Sequence, residues 1–445
     1  MLPLGTYSLH KRNVPIGNMI ARSAPFGQRY AFVVVAVIFL CLLIAAGLRS
    51  APAVMMLPLE ESLGWGRDSI SFAAAIGIFL YGLAGPFAAA LMERIGLRRV
   101  LVAALVLMSG ATALSLWMTQ PWHMVLTWGI LSGVGSGAVA TVLGATIVNR
   151  WFKTNRGLVM GLMSASSASG MLVFLPLLAA LAQSGGWRPV ALTVSIATAA
   201  LLPLVWFLVP ERPSSIGQVR YGADADDVPP APPSAQGNFL VHTLSTLKRA
   251  AGTRVFWYLF ATFFICGFTT NGLVGTHLIA FCGDMGINEI QAAGLLSLMG
   301  VFDLIGTTLS GWLTDRFDPR KLLFIYYGIR GLSLMYLPYS GFSATALIVF
   351  AIFYGLDWIA TVPPTLRLAN EGFGDAAGPL VFGWVVAGHQ VGAAAAAYFG
   401  GVMHELQGDY EMAFLIAGLT GLAAACISLL IDTGKREADP EPQPA

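Results

Sequence analysis

The stretch Leu91-Met92-Glu93-Arg94-Ile95-Gly96-Leu97-Arg98-Arg99 returns, 222 residues later, as Leu313-Thr314-Asp315-Arg316-Phe317-Asp318-Pro319-Arg320-Lys321. The charges keep step: Glu93 with Asp315, Arg94 with Arg316, Arg98 with Arg320, Arg99 with Lys321. Each copy follows one long apolar run and precedes another. In a chain of 445 residues, a repeat offset of half the length means two copies of one unit. The flanking runs make that unit membrane-embedded, the layout of a transporter built from two related halves.

Composition agrees. The chain is 56% hydrophobic and 11% charged, with a mean hydropathy of +0.72, whereas soluble domains carry about 25% charge. Most of this chain cannot face water. Cys41, Cys266, Cys282 and Cys426 lie in or beside apolar runs, without metal-ligand spacing or a disulfide framework, and read as small core residues. The first apolar run starts near Tyr30, behind Lys11, Arg12, Arg22 and Arg29, and continues too far for a signal-peptide core. It reads as a retained membrane helix.

About 20 apolar residues span the hydrocarbon core. Twelve segments qualify, at roughly 30–58, 69–92, 97–118, 122–148, 156–183, 187–209, 255–282, 290–314, 320–338, 343–368, 376–403 and 410–431. All but four of the 25 basic residues fall on one side of this arrangement. Only Arg67 and Arg188 fall on the other, while Arg49 and Arg330 lie within helices. The positive-inside bias therefore places both termini in the cytoplasm. Residues 210–254, with Asp224-Ala225-Asp226-Asp227 and Pro229-Pro230-Ala231-Pro232-Pro233, read as a cytoplasmic linker, flexible or partly extended. Its end, Phe239 to Ala251, has the pattern of a short amphipathic surface helix. The expected division is a tail 1–29, a six-helix bundle 30–209, the linker 210–254, a second six-helix bundle 255–431 and a disordered tail 432–445.

Twelve helices, a long central linker and the twice-used acid-Arg…Arg-base loop resemble the major facilitator superfamily over nearly the whole chain. That family's loop is usually Gly-x-x-x-Asp-Arg-x-Gly-Arg-Arg. Here Ala89 replaces the first Gly, Glu93 the Asp, and Leu97 separates Gly96 from Arg98; the second copy keeps Gly311 and Asp315 but has Asp318 for the later Gly. Finer features are similar to the monocarboxylate transporter and oxalate/formate antiporter branch. These are Arg150-Trp151-Phe152-Lys153-Thr154-Asn155-Arg156-Gly157 at the helix-5 entry, Leu48-Arg49-Ser50 where relatives carry a substrate-binding Lys-Ser, and Gly300-Val301-Phe302-Asp303, similar to a proton-linked Asp. The branch places an Arg four residues after that Asp; this chain has Thr307. Substrate identity therefore does not carry over. The resemblance implies an all-α membrane protein, two pseudosymmetric six-helix bundles working by alternating access.

Each ionisable group at mid-helix costs roughly 2.5–3.5 kcal/mol on insertion scales, so such residues seldom face lipid. Arg49 is the first candidate for the substrate carboxylate, because a guanidinium binds carboxylates bidentately and keeps its charge; the alternative is a structural pair with an acid of the other half. Asp303 is the natural proton carrier, since protonation removes its charge before the site reorients; the alternative is a permanent pair with Arg330. Arg330 and Asp357 lie at similar depth, which favours a mutual salt bridge, with Asp357 a second proton-coupling candidate. His389 and Gln390 stand beside Gly388 and Gly392 as possible substrate donors. The 222-residue shift carries Arg49 onto Asn271 and Tyr81 onto Asp303, placing Asn271 and Tyr81 opposite these residues across a two-fold cavity.

Pro363-Pro364 predicts that the tenth segment unwinds or kinks, as a gating hinge or as a static bend. The repeated loops, through Glu93, Arg94, Arg98, Asp315, Arg316 and Arg320, are expected to be cytoplasmic latches that hold the halves in one state and part in the other. No Walker A sequence, soluble catalytic domain or His/Cys cluster is present, which argues against ATP drive, enzymatic activity, a metal or a cofactor. The expected activity is secondary transport of a small organic anion, a monocarboxylate, by proton symport. Anion exchange is the rival, and a transporter-like sensor a third reading. The expected partners are the anion, protons and the bilayer, with no nucleic acid and no second subunit, in a bacterial inner membrane.

Overall fold

The computed structural model describes residues 29–223 and 239–432. The tails and the acidic, proline-rich part of the linker lie outside the described residues. Among those described, the only β pairing is one isolated bridge, Phe152 to Tyr221. The first half runs α1 (Tyr30–Leu63), α2 (Arg67–Ile95), α3 (Leu97–Leu114), α4 (Pro121–Met124), α5 (Ser132–Ala138), α6 (Thr141–Trp151), α7 (Arg156–Gly185) and α8 (Trp187–Leu208). A π-turn, Val125–Leu131, joins α4 and α5 into one helical run. After the linker, α9 (Phe239–Ala250) is the expected amphipathic helix. The second half runs α10 (Arg254–Gly267), α11 (Gly275–Asp284), α12 (Glu289–Thr314), α13 (Pro319–Tyr336), α14 (Ala344–Leu356), α15 (Val362–Gln407) and α16 (Glu411–Leu429), with a second π-turn, Phe268–Val274, between α10 and α11. Nine helical stretches among the described residues are long and apolar enough to cross a membrane.

The 222-residue register reaches well beyond the repeated loop. α3 and α13 begin at Leu97 and Pro319 and end at Leu114 and Tyr336. α7 and α15 end at Gly185 and Gln407. Left-handed glycines recur at the same offset: Gly64 (φ 67°) with Gly286 (φ 78°), and Gly186 (φ 73°) with Gly408 (φ 82°). A Cβ is disfavoured at such φ, so each pair stops corresponding helices at corresponding residues.

Two expected spans are corrected. The segment 343–368 is not one helix: α14 stops at Leu356, residues 357–361 are turns, and α15 starts at Val362. Of the two expected outcomes the segment unwinds: Pro363 and Pro364 do not kink a helix interior but occupy the first turn of α15, where a missing N–H costs least. The segment 376–403 is part of α15, which bends at Gly374 (φ 77°, ψ 162°). The first half breaks at the matching place, with Val139 and Ala140 out of helical geometry before α6. The start of the linker also differs from a flexible strand. Tyr221 exchanges backbone hydrogen bonds with Trp151 and Lys153 (2.8 and 3.0 Å), and the Glu211 carboxylate accepts from the amides of Leu97 and Arg98 (2.7 and 3.1 Å).

The halves meet along α2 with the long part of α15, α7 with α12, and α1 with α11. We call the end holding residues 30, 208, 254 and 432 the near face, and the opposite end the far face. Small residues set the α2–α15 approach: a Cβ on Gly82 would overlap Gln390, and one on Gly401 would overlap Ser71.

Candidate functional site

In the first half, α1 and α2 bring Arg49 and Tyr81 together. The guanidinium carbon lies 4.7 Å from the centre of the Tyr81 ring, a cation–π contact. Its Nη1 is buried and has no hydrogen-bond partner. Arg49 forms no ion pair among the described residues. Tyr81 thus meets Arg49 of its own half. Adjacent Gly82 packs on Gln390 of the other half, so Arg49, Tyr81 and Gln390 lie close to the same seam. Asn271 sits in the second π-turn, half-buried. His389 stacks near Phe263 (5.1 Å between ring centres), and its buried Nδ1 is unpartnered.

In the second half the chemistry gathers at the break between α14 and α15. A broken helix frees backbone groups that must be satisfied inside a membrane. Arg330, fully buried on α13, supplies most of the donors. Its Nε binds Asp357 Oδ2 at 2.7 Å, and its Nη2 donates to the carbonyls of Asp357 and Trp358 (2.5 and 3.2 Å). Its Nη1 meets Cys266 Sγ at 2.9 Å. Ser310 Oγ donates to the Ala360 carbonyl at 2.5 Å. Asp303, 5% exposed, accepts on one oxygen from the Ile359 amide and the Thr307 hydroxyl, each at 2.9 Å. The structure therefore pairs Arg330 with Asp357 and leaves Asp303 without a cationic partner among the described residues.

The far face carries a cluster that sequence reasoning missed. Arg67, 4% exposed at the first turn of α2, forks onto both Asp284 oxygens of α11 at 2.7 Å each. It also binds Glu60 (2.8 Å) and donates to Tyr410 Oη (3.3 Å). Its backbone amide donates to Glu405 of α15 at 2.7 Å. His404 adds a contact to Asp284 at 3.3 Å, and Tyr410 Oη reaches His277 Nδ1 at 3.3 Å. Arg67 was visible as one of two basic residues on the basic-poor side, a retained charge that needed a reason.

The near face has no corresponding bridge among the described residues. Arg98 lies over Trp206 (5.3 Å) in its own half. Arg316 lies over Trp312 (3.9 Å), and Arg320 forks onto Asp318. That fork holds the Asp318 carboxyl below the usual carboxylate range. Arg94 and Asp315 are exposed, and the Glu93 side chain lies outside the described residues. Among the described residues, the clasp between the halves thus lies at the far face.

Comparisons with known proteins fit this build. The chain is 27% identical over 371 residues to monocarboxylate transporter 13 of Rattus norvegicus, covering 81% of this chain and 79% of that one. It is 25% identical over 410 residues to a gallate transporter of Pseudomonas putida, covering 84% and 86%. Its fold matches the crystal structure of a bacterial homologue of the human lysosomal transporter Spinster, inward-facing and occupied, with a TM-score of 0.71 at 15% identity, covering 91% and 97%. The family model of the Major Facilitator Superfamily matches residues 38–380. The chain belongs to the major facilitator superfamily, and it is a membrane transporter rather than an enzyme.

Proposed function

We propose that this transporter moves a small organic anion, a monocarboxylate, in symport with protons. Arg49 carries the reading. A half-buried guanidinium inside a membrane helix, with its Nη1 buried and unpartnered and no acid beside it, is a costly arrangement unless a ligand completes it. A carboxylate on that N–H, with the Tyr81 ring on the other side of the cation, satisfies both charges. Gln390, His389 and Asn271 supply further polar contacts from the second half. The carboxylate cargo named for one relative, gallate, and the monocarboxylate name of the other agree with this chemistry.

Asp303 carries the proton. Its ionised form is buried and uncompensated, and one oxygen has no hydrogen-bond partner, which leaves a place for a proton. Asp357 is the second proton-coupling candidate, restrained by Arg330. The six-helix bundles 30–209 and 255–431 rock about the seam, and the two charged loops latch the near face when the far clasp opens. The near face is cytoplasmic, on the distribution of basic residues. The test is a thermal-shift screen of the purified protein against carboxylates of graded size. At least one should raise the melting temperature in a saturable way, and Arg49→Ala should lose that response while staying folded. An unchanged apparent affinity in Arg49→Ala would sink the assignment.

A further inference from the structure

We infer that the unwound segment 357–361 is a hinge set by the ionisation of Asp303, so that one proton moves the helix beside it. The inference rests on the reading of Asp303 as proton carrier. It begins with the backbone. Four groups freed by the break are held by side chains from two helices: the Ile359 amide by Asp303, the Ala360 carbonyl by Ser310, and the Asp357 and Trp358 carbonyls by Arg330. Asp303, Gly306, Thr307 and Ser310 recur at three- and four-residue spacing, so they form one stripe of α12. Gly306 lets that stripe lie directly on the Leu356 carbonyl, where a Cβ has no room. The contact is too close to adjust by side-chain motion alone.

Both hydrogen bonds to Asp303 fall on Oδ1. A proton therefore goes to Oδ2, and Oδ1 becomes the carbonyl oxygen of a neutral acid. Charge-assisted hydrogen bonds are roughly twice as strong as neutral ones. Proton binding thus weakens the tie between α12 and the Ile359 amide, and it adds an O–H that needs an acceptor. Ile359 lies between Trp358, which Arg330 holds, and Ala360, which Ser310 holds, so a shift there reaches the Arg330–Asp357 pair. Arg330 and Asp357 are the charged groups whose fields reach Asp303. Arg367, Glu371 and Asp315 lie towards the near face, and His277 and Asp284 towards the far face. Because α12 packs on α7 of the first half, the hinge adjoins the seam. Thr307 and Ser310 are positioning residues in this scheme.

The experiment uses the full chain in nanodiscs, from about pH 5 to about pH 9. Infrared difference spectroscopy follows the carbonyl stretch of protonated Asp303, identified by its loss in Asp303→Asn. Hydrogen exchange, corrected for intrinsic rates, follows the backbone amides of 357–362. Protection should fall about 3- to 10-fold as the infrared band appears, and should be independent of pH in Asp303→Asn. Ser310→Ala, or Thr307→Val if the first does not fold, should move the midpoint of the protection change although neither residue titrates. A band that titrates while protection stays constant overturns the hinge alone, as does a midpoint identical to the parent in both variants. A band that never titrates overturns the reading of Asp303 itself.

Discussion

Replacing Arg67 by Ala should open the far face. Two of its side-chain contacts cross between the halves: the fork on Asp284 and the bond to Tyr410 Oη. The Glu60 contact stays within the first half, and the backbone bond to Glu405 survives the substitution. A hydrogen-bonded contact to a charged group contributes about 1.5–3 kcal/mol, and the bond from the guanidinium to Tyr410, weakened by its 3.3 Å length, about 0.5–1 kcal/mol. The Asp284 side chain is 22% exposed, so solvent screens part of the fork. The clasp is therefore worth about 2–4 kcal/mol to the far-closed state. At about 1.4 kcal/mol per tenfold, its loss shifts the balance of states by about 30- to 700-fold. Spin labels on Gln183→Cys and Gln407→Cys, at the far ends of α7 and α15, report this by electron–electron double resonance in a Cys426→Ser background. The mean distance should lengthen in Arg67→Ala, and Arg67→Lys should fall between. A distance distribution identical to that of the parent would refute the clasp as the element that closes this face.

Arg330→Met should destabilise the detergent-solubilised protein by about 3–5 kcal/mol, because it leaves the Asp357 carboxylate buried and unpaired. Adding Asp357→Asn should recover much of the lost melting temperature; a double variant no better than the single one would show that the ion pair is not the source. Asp318 caps α13 through the Arg320 amide (2.9 Å) while holding the Arg320 guanidinium. Asp318→Ala should cost about 0.5–2 kcal/mol of stability. The lowered carboxyl pKa sets the sign: this contribution is present above the ordinary carboxylate pKa and is lost as pH falls through the lower folded value. Melting curves of the parent and Asp318→Ala should therefore converge on acidification, and a constant gap would contradict this.

Much of the architecture was legible from one repeated loop, because helix ends follow local signals. The glycines at 64, 186, 286 and 408 stop helices where a left-handed residue is needed, and they read directly from the chain. The pairing of Arg330 with Asp357 was legible from depth along adjacent helices. The break at 357–361 was legible only as one of the two outcomes of the paired prolines, because an apolar run from 343 to 368 looks like an unbroken span. Only the Asp357 charge and the paired prolines hint at it, and prolines in a first turn look the same in sequence as prolines at a kink. The far-face clasp was hidden for another reason. Arg67 and Asp284 stand 217 positions apart at helix ends, where charges are ordinary, and only the packing of α1 against α11 and of α2 against α15 brings them together.

The unpartnered cation and the uncompensated acid belong to different halves: Arg49 and Tyr81 to the first, Asp303 and the Arg330–Asp357 pair to the second. On the proposed roles, the anchor for the substrate carboxylate and the energy source are inherited on separate modules. A lineage can recast what it carries through substitutions around α1 and α2 while the buried polar cluster of α12 to α15 stays intact. The same partition gives an engineer a rule for grafting: the grip on the carboxylate is changed in the amino-terminal module, and the ion drive in the carboxy-terminal one.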